Sequence, residues 1–173
     1  MNSLNFEEGR KNLKKVPKEE IHIVESFSEI DDQPDEVYPN LFIGSIHCAN
    51  NHEILKKNNI KHVITMCFEE LPKKCDGITY HEELVKDAHT FDISIVFPRV
   101  FEIIDSCIKD KNEKVLVHCM LGISRSGSIC IGYVMKEEKL KFLEIWRKLK
   151  KIRSIIHPNE TFKKSLITFE KKI

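Results

Sequence analysis

A cysteine and an arginine lie six positions apart in the segment VLVHCMLGISRSG, residues 115–127. The apolar residues at its start predict a buried strand, and a helix is expected to begin near Arg125. A loop between a strand and a helix can turn several backbone N–H groups toward one point, where the helix N-terminus adds partial positive charge. Gly122 permits a tight turn there, and the guanidinium of Arg125 matches two oxygens of a phosphate. We therefore predict an anion cradle sized for a phosphoryl group.

The same electrostatic field acts on Cys119. A helix N-terminus and a neighbouring cation stabilise the thiolate over the thiol, and a thiolate beneath a bound phosphoryl group is an activated nucleophile. The alternative is a structural cysteine in a strand-to-helix turn, with Arg125 simply starting a surface helix. The register of histidine, cysteine, glycine, arginine and serine directly after the predicted strand favours the nucleophile.

The composition restricts the class of protein. The chain has 173 residues, of which 41% are hydrophobic, and this suits one compact domain. Its net charge of +1 gives no electrostatic reason to expect binding to nucleic acid or to a membrane surface. The N-terminus is too polar for a signal peptide, no apolar run could span a bilayer, and no pair of cysteines has C-x-x-C spacing. We expect a monomer with reduced thiols in the cytoplasm, with the nucleus as a further compartment.

Strands and helices alternate along most of the sequence. We predict a charged N-terminal extension over residues 1–35, with a marginal helix at IHIVESF, and a folded domain over residues 36–173. Such alternation predicts an α/β fold with a central, mostly parallel sheet flanked by helices, and ligands bind such sheets at the carboxyl ends of the strands. The predicted strands lie in EVYPNLFIGS, KHVITMC, ITYHEELV and KVLVH, and the predicted helices in HEILKKNN, from about Ser94 to Ile108, and over residues 125–137, 141–152 and 159–171.

Three of these helices carry more specific expectations. Pro98 must lie in the first turn of its helix, where no backbone donor is needed. The helix over residues 141–152 is expected to carry Leu143, Trp146 and Leu149 on one face. Asn159 is a suitable N-cap for the last helix.

The segment HCMLGISRS matches the H-C-x-x-G-x-x-R-S signature of the cysteine-dependent protein tyrosine phosphatases. Beyond the signature, about residues 36–171 resemble the dual-specificity branch of that family. The resemblance implies hydrolysis of phosphotyrosine and phosphoserine or phosphothreonine in phosphoprotein substrates, through a phosphocysteine intermediate and with no cofactor or metal. It is carried by YPNLFIGSIHCANNHEIL, NIKHVITMC, SGSICIGYVMKEEKL and IRSIIHPNETFKKSLITFE.

The resemblance also implies roles for residues of the signature. Cys119 would be the nucleophile, Arg125 would bind phosphate and stabilise the transition state, and Ser126 would assist departure of the thiolate. His118 would support the loop by hydrogen bonding. The phosphate-binding residues would be Met120, Leu121, Gly122, Ile123, Ser124 and Arg125.

The leaving oxygen needs a proton, so a general acid must come from outside the signature. The polar stretch VKDAHTFDIS offers Asp87 and Asp92. Asp87 lies 32 residues before Cys119, which resembles the family's spacing between acid and cysteine. Asp92 is closer to a predicted helix and could be a cap or turn residue. We therefore predict that Asp87 is the acid.

Two other functions share parts of this pattern. An RNA 5′-triphosphatase uses the same signature but should carry a basic face, which a net charge of +1 does not supply. A phosphoresidue-binding module would lack the cysteine, the arginine or the acid, and candidates for all three are present. The variable loop positions Met120, Leu121 and Ile123 are apolar, and this argues against inositol phospholipid substrates, whose phosphatases tend to carry lysines there.

Cys67 is a possible redox partner of Cys119. It ends the predicted strand KHVITMC, and Cys119 follows the predicted strand KVLVH. If these strands are parallel neighbours, both sulfurs emerge at one edge of the sheet, where some relatives carry a resolving cysteine. The alternative is that Cys67 is a small buried hydrophobic residue.

Overall fold

The structure, a computed structural model, describes residues 33–173, and every structural statement below refers to that part of the chain. The predicted marginal helix at IHIVESF lies outside it. The strands are β1 (Asp35–Tyr38), β2 (Leu41–Gly44), β3 (Ile60–Thr65), β4 (Thr79–Glu82) and β5 (Lys114–His118). The α-helices are α1 (Ile46–Asn50), α2 (His52–Lys57), α3 (Phe97–Asp105), α4 (Arg125–Glu138), α5 (Phe142–Ile152) and α6 (Glu160–Glu170).

The five strands form one sheet in the order β1-β2-β5-β3-β4. Strands β2, β5, β3 and β4 are parallel to their neighbours, whereas β1 pairs with β2 in antiparallel orientation. The expected α/β fold with a mostly parallel sheet is therefore confirmed. Strand β5 lies at the centre, between β2 and β3, so its carboxyl end opens at the middle of the sheet edge.

The helices cover both faces of the sheet. One hydrophobic cluster joins Ile64 and Val117 of the sheet to buried residues of α3, α4, α5 and α6. A smaller cluster joins Val63 and Leu116 to α1 and α2 on the opposite face. Because side chains alternate along a strand, β3 and β5 are apolar on both faces and form the rigid centre from which the following loops extend.

Most of the predicted elements are present, with differences at their ends. A 3-10 turn over Ile93–Val96 precedes α3, and a π-helical turn over Ser106–Asp110 follows it. Pro98 lies in the first turn of α3, as predicted. In α5 the buried residues are Phe142, Ile145 and Leu149, whereas Leu143 is half exposed. No helix among residues 33–173 has the length and apolar composition needed to cross a membrane.

Candidate active site

The loop over residues 119–124 connects the central strand β5 to α4, as the sequence predicted. Gly122 has a φ of +67°, and a Cβ atom there would come within 2.7 Å of the Gly44 carbonyl oxygen. Only glycine fits this position without strain, because it tolerates positive φ and carries no Cβ. The loop therefore packs directly on the end of strand β2.

Four consecutive carbonyl oxygens of this loop accept hydrogen bonds from outside it. The backbone N–H of Ile46 donates to Met120, and that of His157 donates to Ile123, at 3.2 and 3.1 Å. The buried guanidinium of Arg153 donates to the carbonyls of Leu121 and Gly122 at 3.3 and 3.0 Å. Since these carbonyls are held by groups outside the loop, the peptide N–H groups are the polar atoms left to line its interior. This is the arrangement that an anion requires.

Cys119 and Ser126 lie side by side beneath the loop. The Sγ atom of Cys119 is 3.2 Å from the Oγ atom of Ser126, and both residues are buried. Ser126 belongs to the first turn of α4, whose free N–H groups carry partial positive charge. The hydroxyl can therefore donate to a thiolate at Cys119 and stabilise it.

The guanidinium of Arg125 donates hydrogen bonds to protein groups through Nη1, whereas its Nε donor has no partner among residues 33–173. Its Nη1 atom donates to the Glu69 carboxylate at 2.6 and 2.9 Å and to the Val85 carbonyl at 3.1 Å. Its Nε atom is buried and has no hydrogen-bond partner within residues 33–173. A buried donor without a partner costs free energy, and a bound anion would restore the missing hydrogen bond. The orphaned Nε–H is thus the clearest sign in the geometry of where a phosphate binds.

Glu69 holds the guanidinium of Arg125 in place, a role that its position in the sequence does not indicate. Burial works to raise the pKa of Glu69, but the hydrogen bonds from Arg125 outweigh it and leave that pKa below its ordinary value. Burial likewise works to lower the pKa of Arg125, and the Glu69 hydrogen bond leaves that pKa raised. Glu69 is therefore ionised at neutral pH and fixes the orientation of Arg125. Glu69 lies in the irregular segment between β3 and β4, where no hydrophobic periodicity could indicate its role.

The two candidate acids lie in different environments. The Oδ1 atom of Asp87 accepts from Ser124 Oγ at 3.0 Å and from Asn159 Nδ2 at 2.7 Å, and its Oδ2 atom is 3.8 Å from Arg125 Nε. Asp87 is therefore held beside the phosphate loop while one third of its side chain stays exposed.

Asp92 is engaged in structure instead. It accepts from the backbone N–H of Ser94 and from the hydroxyls of Ser94 and Ser165, and thereby caps the 3-10 turn. The hydrogen bond from Ser165, together with those from Ser94, keeps the pKa of Asp92 below its ordinary value, although partial desolvation works in the opposite direction. This environment matches the cap alternative that its sequence position left open.

His118 is fully buried at the end of β5. Its Nε2 atom is 2.8 Å from Thr65 Oγ1, and its Nδ1 atom is 3.4 Å from the Cys119 carbonyl oxygen. Burial, with a smaller contribution from Arg125, lowers the pKa of His118 to about 4. A neutral imidazole thus joins β3 to the start of the loop, in line with the support role that the resemblance implied.

Asn159 and Arg153 complete the site from the C-terminal segment. Asn159 was predicted only as an N-cap, and its Oδ1 atom does accept from Phe162 N at 2.9 Å. Its Nδ2 atom also holds Asp87. Arg153 bonds Asp35 at 2.9 Å as well as the loop carbonyls. An arginine at the end of an amphipathic helix looks like a surface residue in sequence, so its buried role could not be read from periodicity.

Cys67 lies near Cys119 but two residues beyond the end of β3, not at the strand end as predicted. Strands β3 and β5 are parallel neighbours with Thr65 opposite His118, so the condition on which the pairing of the two cysteines depends is met. Burial, followed by the proximity of Cys119, raises the pKa of Cys67 to about 11. Its thiol donates a weak hydrogen bond to the Glu70 carbonyl at 3.5 Å.

We predict that mild peroxide forms a reversible disulfide between Cys67 and Cys119. Oxidation of Cys119 to the sulfenic acid and attack by the Cys67 sulfur would form the S–S bond and release water. After peroxide inactivation, dithiothreitol should restore activity in the wild type and fail to restore it in Cys67→Ser. Because Cys67 is protonated at neutral pH, capture should be faster at higher pH. Equal recovery of both proteins would leave Cys67 with a packing role only.

A separate apolar cavity of about 700 Å³ lies between α3 and the end of α6, lined by Phe97, Phe101 and Phe169 among others. None of its lining residues belongs to the phosphate loop. The chemistry-bearing side chains converge at the carboxyl edge of the sheet instead, so the candidate active site is placed by its chemical groups and not by cavity size.

Comparison with known proteins agrees with this geometry. The family model described as "Dual specificity phosphatase, catalytic domain" matches residues 41–172. Human dual specificity protein phosphatase 5 is 35% identical over 140 residues, a match that covers 81% of this chain but only 36% of that protein. Dual specificity protein phosphatase 1B of Arabidopsis thaliana is 36% identical over 138 residues, covering 80% of this chain and 82% of that protein.

The fold is similar to solved structures over the same part of the chain. The crystal structure of human tyrosine phosphatase-like serine/threonine/tyrosine-interacting protein superimposes with a TM-score of 0.75 at 28% identity. That match covers 81% of this chain and 97% of the other. The chain thus spans nearly all of that structure but only about a third of the length of human dual specificity protein phosphatase 5.

Proposed function

Because the chain belongs to the dual specificity phosphatase catalytic-domain family, we propose that it hydrolyses phosphotyrosine and phosphoserine or phosphothreonine in phosphoprotein substrates. The single observation that carries the proposal is the buried Nε–H of Arg125, which lacks a partner beside the Cys119 sulfur. The site offers an anion the donor it needs and places a nucleophile next to it.

In the first step, Cys119 Sγ attacks phosphorus. The S–P bond forms as the P–O bond to the substrate breaks, and Asp87 gives its proton to the leaving oxygen. The arriving phosphoryl group displaces no protein ligand from the Nε edge of Arg125, because Glu69 and Val85 hold only Nη1. Arg125 and the loop N–H groups then stabilise the charge of the equatorial oxygens.

In the second step, Asp87 acts as the base. It takes a proton from water, the water oxygen bonds to phosphorus, and the S–P bond breaks to release inorganic phosphate and the thiolate of Cys119. Ser126, 3.2 Å from the sulfur, donates a hydrogen bond to that thiolate as it departs. The hydrogen bonds from Ser124 and Asn159 keep the Asp87 carboxylate in place for both proton transfers.

Exposed apolar side chains near the site favour substrates with apolar neighbours. Leu121 on the loop is 54% exposed. Phe68 and Leu84 are 48% and 59% exposed, and each directly adjoins a residue that bonds Arg125. Acidic residues beside the phosphorylated position gain little from such a surface, whereas apolar ones can bury area against it.

A direct test is the trapping of the covalent intermediate. Wild-type protein turning over a phosphotyrosine or a phosphothreonine peptide is quenched in acid, and peptide mapping by mass spectrometry should find one phosphoryl group on Cys119. Cys75→Ser, a change at a partly exposed thiol outside the site, should give the same adduct. Absence of turnover on both peptides, or turnover without modification of Cys119, would contradict the proposal.

The second candidate function is a phosphoresidue-binding module, and a specific finding keeps it in view. One similar structure is that of the human tyrosine phosphatase-like serine/threonine/tyrosine-interacting protein. The juxtaposition of Cys119 with Ser126, and of Asp87 with Arg125, is needed for turnover but not for binding. Binding of both phosphopeptides without any release of phosphate would favour this alternative.

We expect the activity to reside in residues 36–173 as a monomer, without nucleic acid or membrane partners, in the cytoplasm and also the nucleus. Deletion of residues 1–30 should leave a folded and active protein, because that segment has few large apolar residues to contribute to a core. Thermal unfolding and turnover of an aryl phosphate would be compared with the full chain. An insoluble or inactive truncated protein would show that the extension is an integral part of the domain.

A further inference from the structure

Three side chains of types that can bind a metal converge from separate segments on the side of the sheet that α3 covers, away from the phosphate loop. They are His62 on β3, His81 on β4 and Cys107 in the π-helical turn after α3. Their ligand atoms all lie within 4.8 Å of one another. His62 and Cys107 are buried, and His81 is half-buried. A buried cluster of two imidazoles and a thiol is a set of groups typical of metal sites.

We propose that His62, His81 and Cys107 bind a zinc ion. Two nitrogen ligands at the usual zinc distance of about 2.0–2.1 Å, separated by a tetrahedral angle, lie about 3.3 Å apart. The Nδ1 atom of His62 is 3.3 Å from the Nε2 atom of His81. The two imidazoles thus already have the spacing that a shared tetrahedral ion demands.

Glu113 orients the first of these ligands. Its Oε2 atom is 2.6 Å from Nε2 of His62. Since an ionised carboxylate can only accept, Nε2 of His62 is the donor to Glu113, and Nδ1, which faces His81, is the nitrogen available to bind an ion. Carboxylates that fix the tautomer of a ligating histidine in this way are a regular feature of zinc sites.

The π-helical turn places the third ligand. The backbone N–H of Lys111 donates to the carbonyl of Ser106, five residues earlier, at 3.3 Å, as is typical of a π-helical turn. The N–H of Glu113 then donates to the carbonyl of Cys107 at 2.9 Å. The same turn therefore fixes both Cys107 and the orienting residue Glu113. Single π-turns are rare and often occur at functional sites.

The cluster is accessible and has suitable charges around it. A cavity of about 260 Å³ is lined by His81 and Cys107 together with Glu102, Arg99 and Lys111. It offers a route for the ion and space for a water molecule in the fourth tetrahedral position. Negative charge around the ion would come from Glu113, from Glu102 and from the Cys107 thiolate that forms on binding. The positive charge of Lys111 would repel the ion, whereas the charge of Arg99 is balanced by its ion pair with Glu83.

This site is distinct from the phosphatase centre and departs from the expectation that the chain carries no metal. His62 lies three residues before the end of β3, about 10 Å along the strand from the sheet edge at which the phosphate loop begins. The ion would connect β3, β4 and the end of α3, so its effect is on stability and not on chemistry. The spacing of positions 62, 81 and 107 resembles no continuous zinc motif, so the cluster is visible only in the fold.

The test uses Cys119→Ser as the parent, which removes the reactive thiol of the phosphatase site. Binding of Zn²⁺ is measured by competition with a chromophoric chelator, and Co²⁺ serves as a spectroscopic probe. The parent should bind one equivalent of Zn²⁺ and, with Co²⁺, show tetrahedral d–d bands and a thiolate charge-transfer band. Cys107→Ser and His81→Gln should weaken binding by more than about 100-fold, and Glu113→Gln by roughly 10–100-fold. Cys75→Ser is the matched control and should change nothing.

The charge-transfer band should disappear in Cys107→Ser because the thiolate ligand is gone. Circular dichroism of the metal-free variant would show whether it is still folded, so that loss of the band is not mistaken for unfolding. In the otherwise wild-type chain, Cys107→Ser should keep its phosphatase activity and lose the rise in melting temperature that Zn²⁺ produces in the parent. Zinc binding that survives both Cys107→Ser and His81→Gln would overturn the proposal. So would a parent protein that binds no stoichiometric zinc.

Discussion

Replacement of Cys119 by serine should abolish turnover of an aryl phosphate while preserving the fold and the affinity for inorganic phosphate. A hydroxyl at this position is far less nucleophilic than the thiolate, whereas Arg125 and the loop N–H groups that hold the anion are unchanged. Initial rates on a generic aryl phosphate give the activity, and calorimetry with inorganic phosphate gives the affinity.

The control is the same substitution at Cys75, which lies outside the site and should retain full activity. Activity of Cys119→Ser within about tenfold of wild type would refute the proposed nucleophile. A loss of phosphate affinity together with activity would instead mean that the substitution disturbs the loop, and the nucleophile would then be tested by the trapped phosphocysteine.

The second large effect is expected at Asp87. Asp87→Asn should lower kcat by roughly 10²–10⁴, the usual contribution of general acid–base catalysis. The amide keeps the hydrogen bonds from Ser124 and Asn159 in part but cannot transfer a proton. The loss should be smaller for aryl phosphates with very good leaving groups, because these need less protonation in the transition state.

Asp92→Asn is the matched control for this experiment. Asparagine is as good a cap as aspartate, so the bonds to Ser94 and Ser165 should largely persist and kcat should change little. The comparison uses the same two substrates, one with a good and one with a poor leaving group. A larger defect in Asp92→Asn than in Asp87→Asn would mean that the general acid has been assigned to the wrong residue.

The sequence was informative where a local pattern reflects a local physical cause. The buried strand before His118, the helix from Arg125 and the N-cap at Asn159 all follow from neighbouring residue types. The five-residue helix α1 was missed, because it is too short for a hydrophobic period and is specified mainly by the Ser45 cap. The π-helical turn was likewise read as a continuation of α3.

The supporting groups of the site could not be predicted in this way. Glu69, Arg153 and Asn159 reach the phosphate loop from segments that meet only when the sheet and the last helices have packed. Each looks like an ordinary surface or capping residue in sequence, because its role depends on a partner dozens of residues away. The signature therefore predicts the reacting atoms, and the fold supplies the groups that would position them.

The unused Nε donor of Arg125 has a consequence for the thermodynamics of the whole domain. A buried N–H without an acceptor costs about 1–3 kcal/mol in the folded state, and any oxyanion that enters the loop removes this cost. A ligand that binds only the native state adds about 2.7 kcal/mol of stability at a hundred times its Kd. Conformational stability should therefore rise with the concentration of inorganic phosphate, which is the product of the proposed reaction.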